Sequence, residues 1–212
     1  QAFQAEWDED KSSFKPRARG ASDPPPSLAT AKQKDALWKQ IQDATEAAQK
    51  QQYQLLTGPS METATLREFW NAARCIDGAQ LSIDHNSICM ALTGKAGAKL
   101  RVRLLLDEGE LRSSSAKQMQ KKVMALYESG VSIRSYKPKS TSPYAKMNIK
   151  TWIIDDAVVL TGSVNCTNHG FHCNVETMQR ISMPAAVAQH AKLFGELWNG
   201  ELAIDVTREE SA

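Results

Sequence analysis

One stretch of the chain combines residue types that suit a phosphate group. It runs from Asn148 through Lys150 to Asp155 and continues, six residues later, as Gly162-Ser163-Val164-Asn165. In a strand, Asn148 and Lys150 point to the same face because side chains alternate. Lysine supplies a point charge, and serine and asparagine supply neutral hydrogen bonds to phosphate oxygens. The pattern predicts a site for an anion of phosphate size.

The spacing of these residues resembles the signature of the phospholipase D superfamily, His-x-Lys-x4-Asp-x6-Gly-Ser-x-Asn. Lys150, Asp155 and the Gly162-Ser163-Val164-Asn165 segment stand at the required intervals, and Asn174-Val175-Glu176 matches the Asn-x-Glu that often follows. The resemblance covers roughly residues 60–200. It implies an α/β fold, a layered αβα sandwich around a central mixed, mostly parallel sheet, which agrees with the alternation of helix and strand patterns.

In active members of that family the motif histidine attacks phosphorus and forms a phosphohistidine, and a histidine from a second motif protonates the leaving oxygen. This chain has one copy of the motif, so the resemblance implies a homodimer. It assigns catalytic positions to Asn148 (the nucleophile position), Lys150, Asp155 and Glu176, and phosphate binding to Lys150, Ser163 and Asn165. It implies no metal and no cofactor.

Asn148 departs from the pattern, because the family has histidine at this position. A carboxamide neither attacks phosphorus at neutral pH nor carries a proton, so the chain is expected to be inactive as it stands. Two explanations stay open: an engineered His→Asn exchange that traps substrate, or a natural member that lost its chemistry and kept the fold. The other motif positions are intact, which favours a single or recent exchange.

Length, composition and charge bound the class of protein. The chain has 212 residues, 42% hydrophobic and 24% charged, which excludes a disordered or fibrous protein. No apolar run approaches a membrane span, and four scattered cysteines favour a soluble protein in a reducing compartment or an organelle matrix. Residues 95–150 carry 13 basic and 4 acidic residues, a net +9, which suits a nucleic-acid backbone if the cations share a face.

Four segments are predicted along the chain: an extended arm (1–26), an amphipathic helix and linker (27–58), the phospholipase D-like domain (59–200) and a C-terminal tail (201–212). Within the domain the patterns predict helices over 113–129 and 184–198, and strands over 79–84, 100–106, 131–136, 149–154, 157–160 and 175–181. Residues 1–56 could serve to attach a protein partner.

The nearby segment 166–173 contains two cysteines and two histidines, His169 and His172. Their spacing matches no familiar zinc finger, so a structural loop that assists acid catalysis at most is favoured over a metal site. The leading function is a metal-independent endonuclease. A phospholipid hydrolase of the cardiolipin type and a non-catalytic subunit of a larger assembly remain alternatives.

Overall fold

The computed structural model describes residues 52–140, 142 and 144–206, together with Lys39 and Gln42. The chain divides into two compact units, 1–45 and 46–212. All elements given below belong to the second unit. The predicted arm lies outside the described residues, as does the predicted helix apart from Lys39, Gln42 and its last residues from 52 on.

The second unit alternates short strands with helices. In chain order its elements are β1 (Tyr53–Thr57), α1 (Pro59–Asn71), β2 (Cys75–Gln80), α2 (Asn86–Gly97), β3 (Arg101–Asp107), α3 (Glu108–Leu111), α4 (Lys117–Glu128), β4 (Ser132–Tyr136), β5 (Lys150–Ile154), β6 (Val158–Gly162), α5 (Asn168–His172), β7 (Thr177–Ile181), α6 (Pro184–Asn199) and β8 (Ala203–Asp205).

The strands form one mixed sheet in the order β1-β7-β6-β5-β2-β3-β4-β8. Only β2–β3 and β3–β4 are parallel, and the other five pairings in the described sheet are antiparallel. The α/β class is confirmed, but the expectation of a mostly parallel sheet is wrong. Parallel pairs need long crossovers, whereas β5 and β6 are joined by the three residues 155–157, which suits an antiparallel hairpin.

Helices cover both faces of the sheet, which confirms the three-layer sandwich. One core cluster packs α1, α2 and α4 on the sheet through side chains that include Phe69, whose ring meets Trp152 edge-on at 4.9 Å. The other packs α6 on the opposite face through Phe194 and Trp198. Because strand residues alternate, Trp152 faces the first layer and Ile153 the second.

Strand directions place several chain segments at one edge of the sheet. β2 and β3 end there at Gln80 and Asp107, β5 begins there because Lys150 pairs with Gln80, and β7 begins there at Thr177. We call this the site edge. The opposite end, where β2 begins at Cys75 and β5 ends, is the far edge.

The folded unit extends beyond the predicted limits of 59–200. Tyr53–Thr57 forms β1, paired along its length with β7, and Ala203–Asp205 forms β8 on β4. Residues 53–56, predicted as the end of the long helix, are therefore strand, because β7 offers them a full set of backbone partners, and the start of the predicted tail is strand as well. No helix among the described residues is both long and apolar enough to cross a membrane.

Candidate active site

Asn148 and Lys150 lie together at the start of β5. The Lys150 ammonium donates a short hydrogen bond to Asn148 Oδ1 and a second, of 3.3 Å, to the Asn148 backbone carbonyl. Asn148 is exposed and Lys150 half-buried. The carboxamide therefore occupies the position beside the cation where an incoming anion would bind.

Ser163 and Glu176 form the second half of the site. Ser163 Oγ donates a short hydrogen bond to Glu176 Oε2 and accepts one of 3.1 Å from the backbone N–H of Thr177. The other carboxylate oxygen of Glu176 accepts a 3.0 Å hydrogen bond from the Asn174 side chain. Glu176 is thus held from two sides at the beginning of β7.

Asn165 follows Ser163 on the same loop. Its Oδ1 atom is buried and has no hydrogen-bond partner among the described residues. A buried acceptor without a donor is costly, and such groups recur where a ligand or a partner completes the site. Asn165 is therefore poised to accept a hydrogen bond from a bound molecule.

Gly162 lets the Ser163 loop leave β6 close to β7. A Cβ atom at this position would lie 2.1 Å from the Thr177 carbonyl oxygen and 2.8 Å from Met178 Cα, which are both backbone atoms. Neither atom can move without separating the two strands. Only glycine permits this approach, and it thereby fixes Ser163 beside Thr177 and Glu176.

Charge and burial set the state of the lysine. Burial lowers the pKa of Lys150, and the negative charge of Glu176 opposes that shift. A phosphate placed beside the ammonium would favour its charged form in the same way, by supplying an opposite charge. The site therefore combines a partly desolvated cation with one carboxylate, Glu176, and with the neutral side chains of Ser163 and Asn165.

Asp155 does not join this cluster. It follows β5 at the far edge, about 16 Å along the strand from Lys150 at ~3.3 Å per residue. Its carboxylate accepts hydrogen bonds from the backbone N–H groups of Ala73 (2.8 Å), Arg74 (2.7 Å) and Cys75 (2.8 Å). The structure thus gives Asp155 the geometry of a clamp between β5 and the α1–β2 connection.

Residues 65–198, more than half of the chain, match the family model described as "Cardiolipin synthase, PLD-like domain". The chain belongs to this phospholipase D-like family. No curated protein matches the sequence.

Solved structures share the phospholipase D-like fold. Nuc from Salmonella typhimurium, a phospholipase D family member, superposes with a TM-score of 0.62 at 22% identity, covering 73% of this chain and 98% of its own. NucT from Helicobacter pylori gives 0.63 at 21% identity with the same coverage. Phosphatidylserine synthase from Haemophilus influenzae gives 0.55 at 12%, covering 73% of this chain and 39% of its own.

Asp107 is a functional candidate that the motif did not include. It ends β3 at the site edge of the phospholipase D-like domain and is 1% exposed. Its Oδ2 atom accepts the Met147 N–H at 2.7 Å and its Oδ1 atom accepts the Glu110 N–H at 2.8 Å. Asp107 therefore holds the backbone immediately before Asn148. In the sequence, the signal for Asp107 is a carboxylate directly after the apolar strand predicted over 100–106.

The basic residues of 95–150 do not share one face of the domain. Lys95 donates to the carbonyls of Trp70 and Ala72 near the far edge, and Arg101 and Arg103 bind the buried carboxylate of Asp77. A smaller set lies at the site edge or in the loops leaving it: Arg112, Lys137, Lys139, Lys146 and Lys150. The net +9 overstates the charge available to a ligand.

The four cysteines are free. Burial raises the pKa of Cys89 to about 11 and that of Cys166 well above its usual range, so neither thiol is ionised at neutral pH. The two histidines of segment 166–173 have different surroundings. His169 is exposed, whereas His172 contacts His85 and Glu62. The segment thus gives no four-ligand cluster among the described residues.

Proposed function

We propose that this chain is a phosphodiester-binding member of the phospholipase D superfamily, built as a metal-independent endonuclease and lacking its nucleophile because Asn148 replaces histidine. The observation that carries the proposal is the convergence of Asn148, Lys150, Ser163, Asn165 and Glu176 at one sheet edge. The direct test is the Asn148→His variant, which should hydrolyse a phosphodiester that the parent chain leaves intact.

Each residue has a role in this proposal that follows from its chemistry. Lys150 holds a non-bridging phosphate oxygen by charge. The Asn165 Nδ2 group and the Ser163 hydroxyl, once it turns away from Glu176, donate hydrogen bonds to the phosphate oxygens. With histidine at 148, the imidazole attacks phosphorus, the bond to the leaving oxygen breaks, and a partner's imidazole supplies the proton. Glu176 orients an imidazole. Asp155 acts at a distance by fixing the other end of β5.

The proposed homodimer brings two copies of the motif together across the site edge. Two large apolar side chains flank the site in exposed positions: Val175, which is fully exposed between Asn174 and Glu176, and Tyr144, which is 86% exposed in the loop before β5. Apolar groups placed beside an incomplete site suit an isologous contact with a second copy.

We expect Val175→Glu to convert the dimer to a monomer, because it places a charge in the proposed contact. The measurement is molar mass by light scattering. Trp70→Glu is the matched control, since Trp70 is 82% exposed but lies at the end of α1 toward the far edge. A parent chain that is monomeric at every concentration, or a Val175→Glu variant that stays dimeric, would contradict the proposed contact.

We propose nucleic acid rather than lipid as the ligand, with Lys150 and the exposed Lys139 as its cations, since Arg112, Lys137 and Lys146 pair with Glu108 and Glu110. Binding of a short single-stranded oligonucleotide to the parent chain should weaken steeply with salt, with a slope of log K on log salt near −2 or steeper. Lys150→Met should make this slope shallower by about 0.7, the contribution of one phosphate contact on a single strand. Lys99→Met, at an exposed far-edge position, should leave the slope unchanged. Selective binding to anionic vesicles, with no oligonucleotide binding, would point to the lipid alternative.

Asp107 is proposed as a positioning residue for position 148. In the Asn148→His background, Asp107→Asn should lower kcat by about tenfold or more with little change in KM, because a small displacement of a reacting group is costly. Glu110→Gln is the control: it removes a carboxylate that pairs with Lys146 at 3.0 Å and leaves the bond to Met147 intact. Equal losses of kcat in Asp107→Asn and Glu110→Gln would show that the removed negative charge lowers the rate and that the hydrogen bond from Asp107 to the Met147 backbone does not control it.

A second candidate is favoured by Asn148 itself: a non-catalytic subunit that uses the fold to bind a ligand or a partner. It predicts co-purification in fixed stoichiometry, lost when residues 1–51, which precede β1, are removed. An inactive but folded and dimeric Asn148→His variant would favour this candidate over the endonuclease.

A further inference from the structure

Three polar side chains from separate elements lie close together near the loop that carries Ser163 and Asn165. Glu62 comes from the first turn of α1, His85 is the residue before α2, and His172 ends α5. His85 Nε2 lies 3.4 Å from His172 Nε2 and 3.4 Å from Glu62 Oε1, and His172 Nε2 lies 3.6 Å from Glu62 Oε2. Neither the motif nor the proposed reaction uses this cluster.

Each imidazole nitrogen faces one of the two Glu62 oxygens, and the separations of 3.4–3.6 Å are close to those of ligand atoms around one small cation. Zinc bonds of about 2.0–2.1 Å to nitrogen and 2.0–2.2 Å to oxygen, at tetrahedral angles, separate neighbouring ligand atoms by roughly 3.3–3.5 Å. Two imidazoles and one carboxylate also form the donor set that suits zinc and related transition metals, rather than calcium or magnesium. We infer that Glu62, His85 and His172 form a binding site for a divalent transition-metal cation of the zinc class.

The surroundings favour the metal-binding form of the histidine. His85 is 2% exposed and packs against the Phe171 ring, with centroids 5.1 Å apart. Burial lowers the pKa of His85, and nearby Glu62 opposes that shift. His172 is half exposed, which leaves the metal an entry path and a fourth position for water.

Metal binding requires one local change. His85 Nδ1 accepts a hydrogen bond from the Ile88 N–H, which places the proton of the neutral ring on Nε2. With a cation on Nε2 that proton resides on Nδ1, and the cap on α2 is lost. The cap is long, at 3.4 Å, and the cation would also take the place of the His85 Nε2 contacts with His172 and Glu62.

The site would tie α5 to α1 and to the start of α2. A Cβ atom on Gly170 of α5 would lie 2.5 Å from the Asn165 carbonyl oxygen, so this helix packs directly on the phosphate-binding loop. A cation on His172 would therefore fix the rear of the loop. The inference does not depend on the proposed nuclease activity, because binding is measured without substrate.

The test is titration of Zn²⁺ into tag-free, chelator-treated full-length chain, followed by calorimetry and by the visible absorption of Co²⁺ at the same site. We expect one ion per chain, a raised Tm, and affinity weakened at least about 100-fold in Glu62→Gln and in His172→Ala. His169→Ala, an exposed histidine on the same helix, should bind as the parent does. Absence of stoichiometric binding, or binding that survives both ligand substitutions, would overturn the site. His172 is exposed, so its removal leaves the fold intact, and the Tm of each variant without metal verifies this.

Discussion

Asn148→His is expected to raise hydrolysis of an activated aryl phosphodiester at least ~10³-fold above the parent chain, measured in EDTA. Removing a nucleophile from an acyl-transfer site costs a factor of 10⁴ or more, so restoring one to an otherwise assembled site should recover a large part of such a factor. The neighbouring Lys150 ammonium, which contacts residue 148, favours the neutral imidazole and hence the attacking form.

Two further variants test whether the gain in hydrolysis requires an imidazole at position 148 and the Lys150 ammonium. Asn148→Gln keeps a carboxamide and should stay inactive. Asn148→His with Lys150→Met keeps the imidazole and loses the phosphate ligand, and it should fall back toward the parent rate. A covalent adduct that is labile in acid and retained in alkali, seen only in Asn148→His, would identify the phosphohistidine.

The assay should also use labelled single-stranded and double-stranded nucleic acid, again without metal. Cleavage of these substrates would establish the nuclease class. An Asn148→His variant that is folded, dimeric and silent on every phosphodiester would show that the pocket lacks more than its nucleophile, and the endonuclease proposal would be abandoned.

Asp155→Ala is expected to lower the free energy of unfolding at pH 7 by about 2–4 kcal/mol, because it leaves three backbone N–H groups without their charged acceptor. Urea unfolding measures the change. Asp156→Ala is the matched control: Asp156 has the same positive φ (52° against 54°) but makes only a 3.6 Å ion pair with Arg74. Equal losses in the two variants would mean that backbone conformation and not the clamp carries the stability.

The contribution of Asp155 should also depend on pH. Burial alone would raise the pKa of this carboxyl, but the hydrogen bonds from Ala73, Cys75 and Arg74 lower it below its ordinary value. A carboxyl with a lowered folded-state pKa stabilises fully above its unfolded value, near 4, and loses that contribution as the pH falls through the folded value. The gap in stability between parent and Asp155→Ala should therefore shrink between about pH 5 and pH 3. A constant gap over this range would contradict the clamp's ionic character.

The strands around the motif could be predicted from their alternation, but β2 could not. The apolar pattern places a strand over 79–84, whereas β2 spans Cys75–Gln80. Two residues in the middle of β2, Asp77 and Gly78, interrupt the apolar pattern from which a strand is predicted. Asp77 is buried only because Arg101 and Arg103 neutralise it from the next strand, and Gly78 leaves room for the Trp152 ring, which a Cβ would meet at 2.1 Å. Both causes are tertiary contacts that local sequence does not show.

The site residues differ in how far the sequence could place them. The sequence predicted one phosphate site for Lys150 and Ser163 but not their place in the sheet. They lie at one edge because β5 and β6 are antiparallel neighbours. Strand direction also explains why Asp155, although in the same motif, lies at the other end of β5. The Glu62, His85 and His172 cluster joins three distant segments, and no spacing rule connects them.

Strands β1 and β8 are the outermost strands of the sheet. Both lie outside residues 65–198, the part that matches the family. Without them β7 and β4 would present unpaired N–H and C=O groups, from which edge-to-edge aggregation starts. β1 shields all five residues of β7, the strand that begins beside Glu176. The pairing of β7 and β4 thus depends on flanking segments, and a fragment cut to the matched residues would leave β7 unpaired next to the candidate site.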